Sequence, residues 1–260
     1  MIYILAAALL GFAFVVQRKH RQTWSEIFRL RRELDELRAQ LLGARKEIVV
    51  QSAGPTRLPP LMPSQHGEEL WLWDFFGRKR DGFFVDVGAY DGVGFSNSYF
   101  FEAIGWSGIL VEAAPELYAR CAASRPYSTA VHAAAGARNG SIAFTVVDGE
   151  QGVATLSSAT PDRERIAREG GRTRVVDVPL RTLDGILADV SRLIDFVSID
   201  VEGAELDVLQ GFDLERFRPR VLVIEENTAG TGARIREHLA ARGYTPVFRI
   251  EQNVFYGSGR

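Results

Sequence analysis

The chain has 260 residues, 46% of them hydrophobic, and a formal net charge of −2, which is enough apolar content for one sizeable core with attachments. The charge is divided unevenly: residues 1–66 carry 10 Lys and Arg against 5 Asp and Glu, and the remainder 21 against 28. An acidic main domain with no aromatic-interleaved basic stripe argues against a nucleic-acid substrate, a single cysteine, Cys121, excludes an intramolecular disulfide, and His20, His66, His132 and His238 lack metal-site spacing.

Met1 to Val16 is sixteen residues without a charge, followed at once by Gln17-Arg-Lys-His-Arg21. As a helix it spans about 24 Å, a little short of the ~30 Å hydrocarbon core, and snorkelling Arg18 and Lys19 extend its reach. Positive charge before the apolar run and a small-x-small site after it, the marks of a cleaved signal peptide, are both missing. The expectation is a transmembrane anchor over residues 1–16, single-pass, with the basic flank and the main domain in the cytoplasm. The competing reading is a signal sequence or an apolar start that only docks on a membrane.

Residues 17–50 hold the basic flank and a heptad. Ile27, Leu30, Leu34, Leu37, Leu41, Ala44 and Ile48 alternate in steps of three and four, the seam of a short coiled coil. Charged residues fill the other positions, as a solvated face requires. The expectation is a homodimer through this coil; an amphipathic helix lying on the membrane or on the enzyme is the alternative. Residues 51–66, with four prolines, predict an extended linker. The main domain then spans 67–260, opening with an aromatic-rich helix over Glu68–Gly77 whose Trp71, Leu72, Phe75 and Phe76 suit a core face better than a ligand box.

The string FFVDVGAYDGVGFSNSYFFE, residues 83–102, is the most informative. An apolar strand, Phe83 to Val87, carries Asp86 and breaks through Gly88, Gly92 and Gly94 into a helix predicted over Phe95–Ala103. Such a junction lets backbone approach a small ligand closely. The glycines read G-x-x-x-G-x-G, unlike the G-x-G-x-x-G of dinucleotide-binding domains. A second strand, Gly108–Glu112, ends in a carboxylate where doubly wound folds bind ribose hydroxyls; as a bare alternative, Glu112 caps the helix starting near Pro115.

Strands are also predicted at 128–133, 194–200, 219–225, 244–250 and 253–256. Helical stretches between the first five core strands indicate a mostly parallel sheet, and the short link between the last two indicates a hairpin. Two extended segments, Ser141–Val147 and Thr173–Pro179, flank a polar insertion, 153–171, expected to form part of an acceptor pocket or lid. Asp200 stands at the carboxyl end of a central strand, where such sheets hold ligands, and Glu202 would project on the same side if the chain stayed extended. Glu205 lies in the first turn of the next helix, where an acid also serves the helix dipole with no chemistry at all.

The order Asp-x-Gly-Ala-x-Asp-Gly resembles the first motif of S-adenosylmethionine-dependent methyltransferases. With ILVEA, VPLRTLDGIL and IDFVSIDVEGAELDVLQG, the stretch from about 83 to about 226 resembles the FkbM family of methyltransferases. The resemblance implies an α/β fold with a doubly wound, Rossmann-like methyltransferase sheet and a C-terminal antiparallel hairpin. It implies S-adenosyl-L-methionine as cofactor, with contacts at Asp86, Gly88, Ala89, Gly92 and Glu112, and with Asp91 in the same motif. It implies a functional acid at Asp200, with Glu202 and Glu205 behind it as catalytic candidates. His132 is an outside candidate for the base. No metal ligand is assigned, although a magnesium-assisted route could draw on Asp200, Glu226 and Asn227, Glu225 and Glu226 otherwise capping the next loop.

The expected function is O-methylation of a hydroxyl on a sugar, glycan or glycolipid, with a lipid-linked glycan suggested by the anchor. A carboxylate or amine acceptor is not separated from this by any residue. A catalytically inactive membrane scaffold assembled through the coil is the alternative of another class, and a dinucleotide-dependent oxidoreductase fits the glycine spacing poorly.

Overall fold

The computed structural model describes residues 2–148, 157–159, 161 and 163–259, with side chains of 2–25, 28 and 165 outside that description. It divides into two units, Met1–Val49 and Val50–Arg260. The first is helical: α1 runs Ile2–Ser52 without a break, so the expected anchor and coil fall on one helix. Ile27, Leu30, Leu34, Leu37, Leu41 and Ile48 are all exposed along it. Exposed i,i+3 and i,i+4 pairs, Arg29 with Glu26 and Glu33 and Arg32 with Glu36, flank the stripe, each worth a few tenths of a kcal/mol by ~0.3–0.5 for such pairs. No helix among the described residues is long and apolar enough to cross a membrane. The side chains of the span expected at 1–16 lie outside the described residues.

In the second unit, residues 53–66 form neither helix nor strand, as a proline-rich segment should. They are nonetheless fastened. The Arg80 guanidinium donates to the carbonyls of Ala53 and Pro55, the Arg57 amide donates to Ala103 O at 2.7 Å, and Ala53, Met62 and Ser64 are buried. We call this segment the strap. Helix α2, Glu68–Phe75, follows. Its Trp71 stacks on Phe75 and Phe248 at centroid distances of 4.9 and 5.4 Å and tilts against Phe255 at 4.7 Å. Leu72 and Phe76 are buried as the expected core face requires, whereas Phe75 is exposed.

The sheet core comes from alternating strands and helices: β1 Phe83–Val87, α3 Tyr99–Ile104, β2 Ser107–Glu112, α4 Pro115–Ser124 and β3 Thr129–His132. Helix α3 starts four residues later than the predicted Phe95, because Phe95 takes φ 58° and the Ser96 hydroxyl accepts from the amides of Ser98 and Tyr99. A short strand β4, Ala134–Ala135, then pairs with β6, Arg172–Arg181, which pairs antiparallel with β5, Gly140–Asp148. The extended segments flanking the insertion are thus a separate three-stranded sheet. Helix α5, Arg163–Arg168, lies between β5 and β6.

The remaining elements are α6 Leu183–Ile186, β7 Phe196–Ile199, α7 Glu205–Gln210, α8 Leu214–Phe217, β8 Val221–Glu225, α9 Ala229–Ala240, β9 Tyr244–Ile250 and β10 Asn253–Ser258. The main sheet has the order β3-β2-β1-β7-β8-β10-β9. Its pairs are parallel except those of β10, which runs antiparallel to β8 and β9, so the predicted terminal hairpin is present. β1 and β7 are buried at every position, which is why both read as continuous apolar runs rather than alternating ones. The strand order reverses between them, and a doubly wound sheet opens its crevice at the carboxyl ends flanking such a point.

Candidate active site

A cavity of about 360 Å³ opens at that switch point, within the ~300–1,000 Å³ typical of small-molecule sites. Asp86, Gly88, Ala89 and Glu112 line it from the β1–β2 side, and Asp200 and Glu202 from the β7 side. Asp91, Gly92 and Glu205 are not among its lining residues.

The glycine loop is built for its own geometry. Gly88 and Gly92 take φ 86° and 82°, in the left-handed region where a side chain is strained. A Cβ on Gly88 would stand 1.8 Å from the Asp200 carbonyl oxygen, and one on Gly92 would stand 2.6 Å from Ser124 Oγ. The missing side chains make room for the end of β7 and for α4, while Gly88 and Gly94 also line the cavity. The amides of Gly88 and Ala89 both donate to Val111 O, at 2.9 and 3.1 Å, and Gly92 N donates to Ala89 O at 2.9 Å. Asp91 Oδ1 accepts from Val93 N and Gly94 N at 3.0 and 2.8 Å, and its other oxygen accepts from Arg120. Asp91 and Gly92 shape the loop from within.

Asp86 points into a buried polar cluster. Its Oδ2 accepts from Ser98 Oγ at 2.5 Å, and the fully buried Arg125 guanidinium donates to Glu102 at 2.8 Å, Gly92 O at 2.9 Å and Ser98 Oγ at 3.1 Å. Burial raises the Asp86 carboxyl above its ordinary value, against the lowering pull of Ser98 and Arg125. Glu112 accepts from Tyr90 N at 2.9 Å through one oxygen and from Ala114 N at 2.8 Å through the other. It thus fixes the loop and caps α4 at once. A backbone hydrogen bond from Ala113 adds to these, so most of the about four acceptor sites of the carboxylate are already used. Burial pushes its pKa up to about 7, the amides of Ala114 and Tyr90 opposing.

At the β7 end the polar groups crowd. Asp200 is open to the cavity but walled by protein. Desolvation first, then Glu225 and Glu202, push its carboxyl well above the ordinary range, and it shares a hydrogen bond with Glu225. Glu202 reaches the cavity through a turn, not an extended strand: it has φ 53° and Gly203 has φ 105°. Glu205 is buried, and its Oε1 accepts from Gly203 N at 2.9 Å and Val201 N at 3.3 Å. That makes it the keeper of the turn. Its carboxyl is raised by burial.

Asp200, Glu202 and Glu225 each offer a carboxylate oxygen within 4.8 Å of the others, a donor set chemically suited to a divalent cation. Glu226, grouped with Asp200 in the sequence reading, turns to the other side. It pairs with Arg236 at 2.5 Å and accepts from Tyr256 OH. Consecutive residues at a strand end face opposite ways, so Glu225 takes the place. Asn227 lines the cavity and donates to Glu225 Oε2 at 2.6 Å. His132 is held at Ala113 O, 3.0 Å away, and stacks on Tyr118, away from the cavity lining.

The sequence did not single out Asn97, which donates to Ser198 Oγ at 3.1 Å where both line the cavity. Nor did it mark Gln65 of the strap and Gln252 of the β9–β10 turn, which also line it. Ser157 and Ala159 of the insertion reach it as well; residues 149–156 lie outside the described residues.

A reversed-last-strand α/β sheet with an acid-lined crevice beside its glycine loop defines a cofactor-dependent transferase of the methyltransferase class. The match to the methyltransferase FkbM domain covers residues 86–246. The chain belongs to the FkbM methyltransferase family. Among solved structures it is similar to the METTL16 methyltransferase domain, at 15% identity, covering 78% of this chain and 70% of that one with a TM-score of 0.42. It is similar also to precorrin-6y C5,15-methyltransferase from Geobacter metallireducens, at 15% identity, 75% and 88% coverage and a TM-score of 0.40. A third is Aeropyrum pernix fibrillarin in complex with S-adenosyl-L-methionine, at 12% identity, 68% and 66% coverage and a TM-score of 0.41. None of the curated proteins matches the chain significantly.

Proposed function

We propose that the protein is a membrane-tethered, S-adenosylmethionine-dependent methyltransferase that O-methylates a hydroxyl of a sugar, glycan or glycolipid. One observation carries the cofactor: the loop after β1 has its amides at Gly88, Ala89, Tyr90, Gly92, Val93 and Gly94 engaged inside the protein, while no Lys, Arg or His is among the described lining residues. A dinucleotide needs free loop amides for its pyrophosphate. A sulfonium needs the reverse, a cavity lined by carboxylates. Asp86, Glu112, Asp200, Glu202 and Glu225 provide that lining.

The cofactor, when bound, supplies an activated methyl group. The chain's own residues do the rest. Glu112, which lines the cavity, accepts from the ribose hydroxyls with the acceptor capacity its backbone partners leave. Asp200 holds a high-pKa carboxylate at the β7 end, and Glu225 beside it sustains that value. A hydroxyl acceptor loses its proton as the new bond forms, and an Asp200 oxygen takes it. Asn97, Ser198 and Asn227 orient the acceptor by hydrogen bonds.

The tether rests on the uncharged run 1–16 and the basic cluster 17–21, which favour a single pass with the enzyme in the cytoplasm. The homodimer rests on the exposed seam of α1. Calorimetric titration of the full-length protein with S-adenosylmethionine, S-adenosylhomocysteine and NAD tests the core of this reading. Saturable binding of the two adenosyl compounds and none of NAD is expected. A folded protein that binds neither adenosyl compound would favour the scaffold reading instead.

A further inference from the structure

The family match begins at residue 86 and ends at 246, yet two residues lining the cavity come from outside it, one from each side. Gln65 belongs to the strap, and Gln252 to the turn between β9 and β10. Both side chains are exposed at the cavity, and among the described residues neither amide has a hydrogen-bond partner.

Their placement is built. Glu68 and Glu69, at the start of α2, are fully buried, and buried carboxylates must be hydrogen-bonded. Glu68 Oε2 accepts from His66 N at 2.9 Å, the residue after Gln65, and its Oε1 accepts from Asn253 Nδ2 at 2.7 Å, the residue after Gln252. Glu69 accepts from Ser64 N at 3.0 Å and from Ser64 Oγ, on the other side of Gln65. The Gln252 carbonyl is fixed in turn by Glu226 N at 2.8 Å. One buried carboxylate thus spans the strap and the hairpin turn, and the residues bracketing each free amide are immobilised.

The two amides lie on the β8 side of the switch point. β10 pairs with β8 so that Asn253 stands opposite Glu225. They therefore complete the wall that begins with Asp200, Glu225 and Asn227, on the other side of β1 from Glu112.

We infer that Gln65 and Gln252 are the acceptor-selecting residues of this enzyme, and that the acceptor they select is an uncharged, polyhydroxylated compound. This rests on the methyltransferase reading above. A primary amide offers two donors and an acceptor oxygen, the complement of neighbouring hydroxyls. The carboxylates of Asp200, Glu202 and Glu225 repel an anionic group brought beside them. Selection of the acceptor sits in the parts of the chain that the family match leaves out, while the matched part holds the cofactor.

The test uses the full-length protein, methyl-labelled S-adenosylmethionine and three probes sharing one aglycone: p-nitrophenyl α-L-rhamnoside, p-nitrophenyl β-D-glucoside and p-nitrophenyl β-D-glucuronide. At least one neutral glycoside should be labelled ten-fold or more faster than the glucuronide. Gln65→Ala and Gln252→Ala should each raise the KM for that glycoside about three- to ten-fold, the loss of one net hydrogen bond. Their kcat and their affinity for S-adenosylmethionine, measured calorimetrically, should stay within about two-fold of the parent by the same reasoning. Faster labelling of the glucuronide, no labelling of either neutral probe, an unchanged KM in both variants, or an equal loss of cofactor affinity would each overturn the inference. Intact cofactor binding without transfer to neutral probes removes this inference alone, whereas absent cofactor binding removes the reading beneath it.

Discussion

The two ends of the cavity are built on opposite terms. At the β1–β2 end, polar groups answer one another: loop amides meet Val111 O and Asp91, Glu112 meets the amides of Tyr90, Ala113 and Ala114, and Arg125 closes a buried cluster with Glu102 and Ser98. At the β7–β8 end, three carboxylates crowd within 4.8 Å, and the amides of Gln65 and Gln252 stay open. The first end is preorganised for one ligand and offers few groups to any other. The second crowds carboxyls together so that Asp200 is raised well above its ordinary range, and it is the end to which proton transfer and acceptor choice are assigned in our proposal.

The sharpest way to break this comparison is Gly88→Val, which joins the two ends in one lesion. The new side chain would enter the space of the Asp200 carbonyl at a left-handed φ. Cofactor binding should vanish and stability fall by several kcal/mol, about 1–3 from overpacking and about 1–2 from the backbone. Calorimetry and a denaturant melt read both, and unchanged affinity would mean the loop is not the cofactor loop.

Asp200→Asn strikes one end alone. It should lower kcat about 100-fold or more, the usual share of a general base, and leave cofactor affinity nearly intact. In the parent, activity should climb with pH through a midpoint well above the ordinary carboxylate range, because the raised Asp200 must lose its proton to act. Full activity in the variant removes Asp200 from the mechanism.

The β1–β2 end has its own signature in stability. Glu112 titrates near 7 in the folded chain against 4.5 unfolded, so the folded state holds the extra proton between those values. Stability should therefore fall as pH rises from about 4.5 to about 7, by about 3 kcal/mol at 1.36 kcal/mol per unit. Urea denaturation of the parent and of Glu112→Gln at pH 5 and pH 8 checks it, since the variant should lose this part of the slope.

The smallest effect at the cavity should come from α1. Leu34→Asp with Leu41→Asp should halve the sedimenting mass of the protein and leave cofactor affinity unchanged. A parent that sediments as a monomer would end the coiled-coil proposal.

What was legible in the sequence follows from this division. Asp86, Glu112 and Asp200 stand at the ends of apolar runs, and strands buried on both faces announce themselves without help from distant residues. The reversed hairpin was legible from its short link. Asp91, Gly92 and Glu205 were read as site residues because a tight turn demands the same residue types as a ligand does. Their partners, backbone amides and α4, are brought to them only by the fold. Glu226 is grouped with Asp200 because both end neighbouring strands, and one step of strand parity puts Glu225 beside Asp200 instead. Gln65, Asn97, Ser198 and Gln252 carry no pattern at all, since single polar residues from four separate segments meet only through the fold. Arg125, buried 33 residues from the Gly92 carbonyl it holds, was invisible for the same reason.

The Asp200 carbonyl in the space beside Gly88 also sets how this enzyme can diversify. The loop cannot change at Gly88 alone, because any side chain there displaces the backbone at the end of β7. Lineages, and protein engineers, are left with the margins. Substitutions in the strap and in the hairpin turn cross no such interlock, so new acceptors should be reached there in single mutational steps while the cofactor half stays frozen.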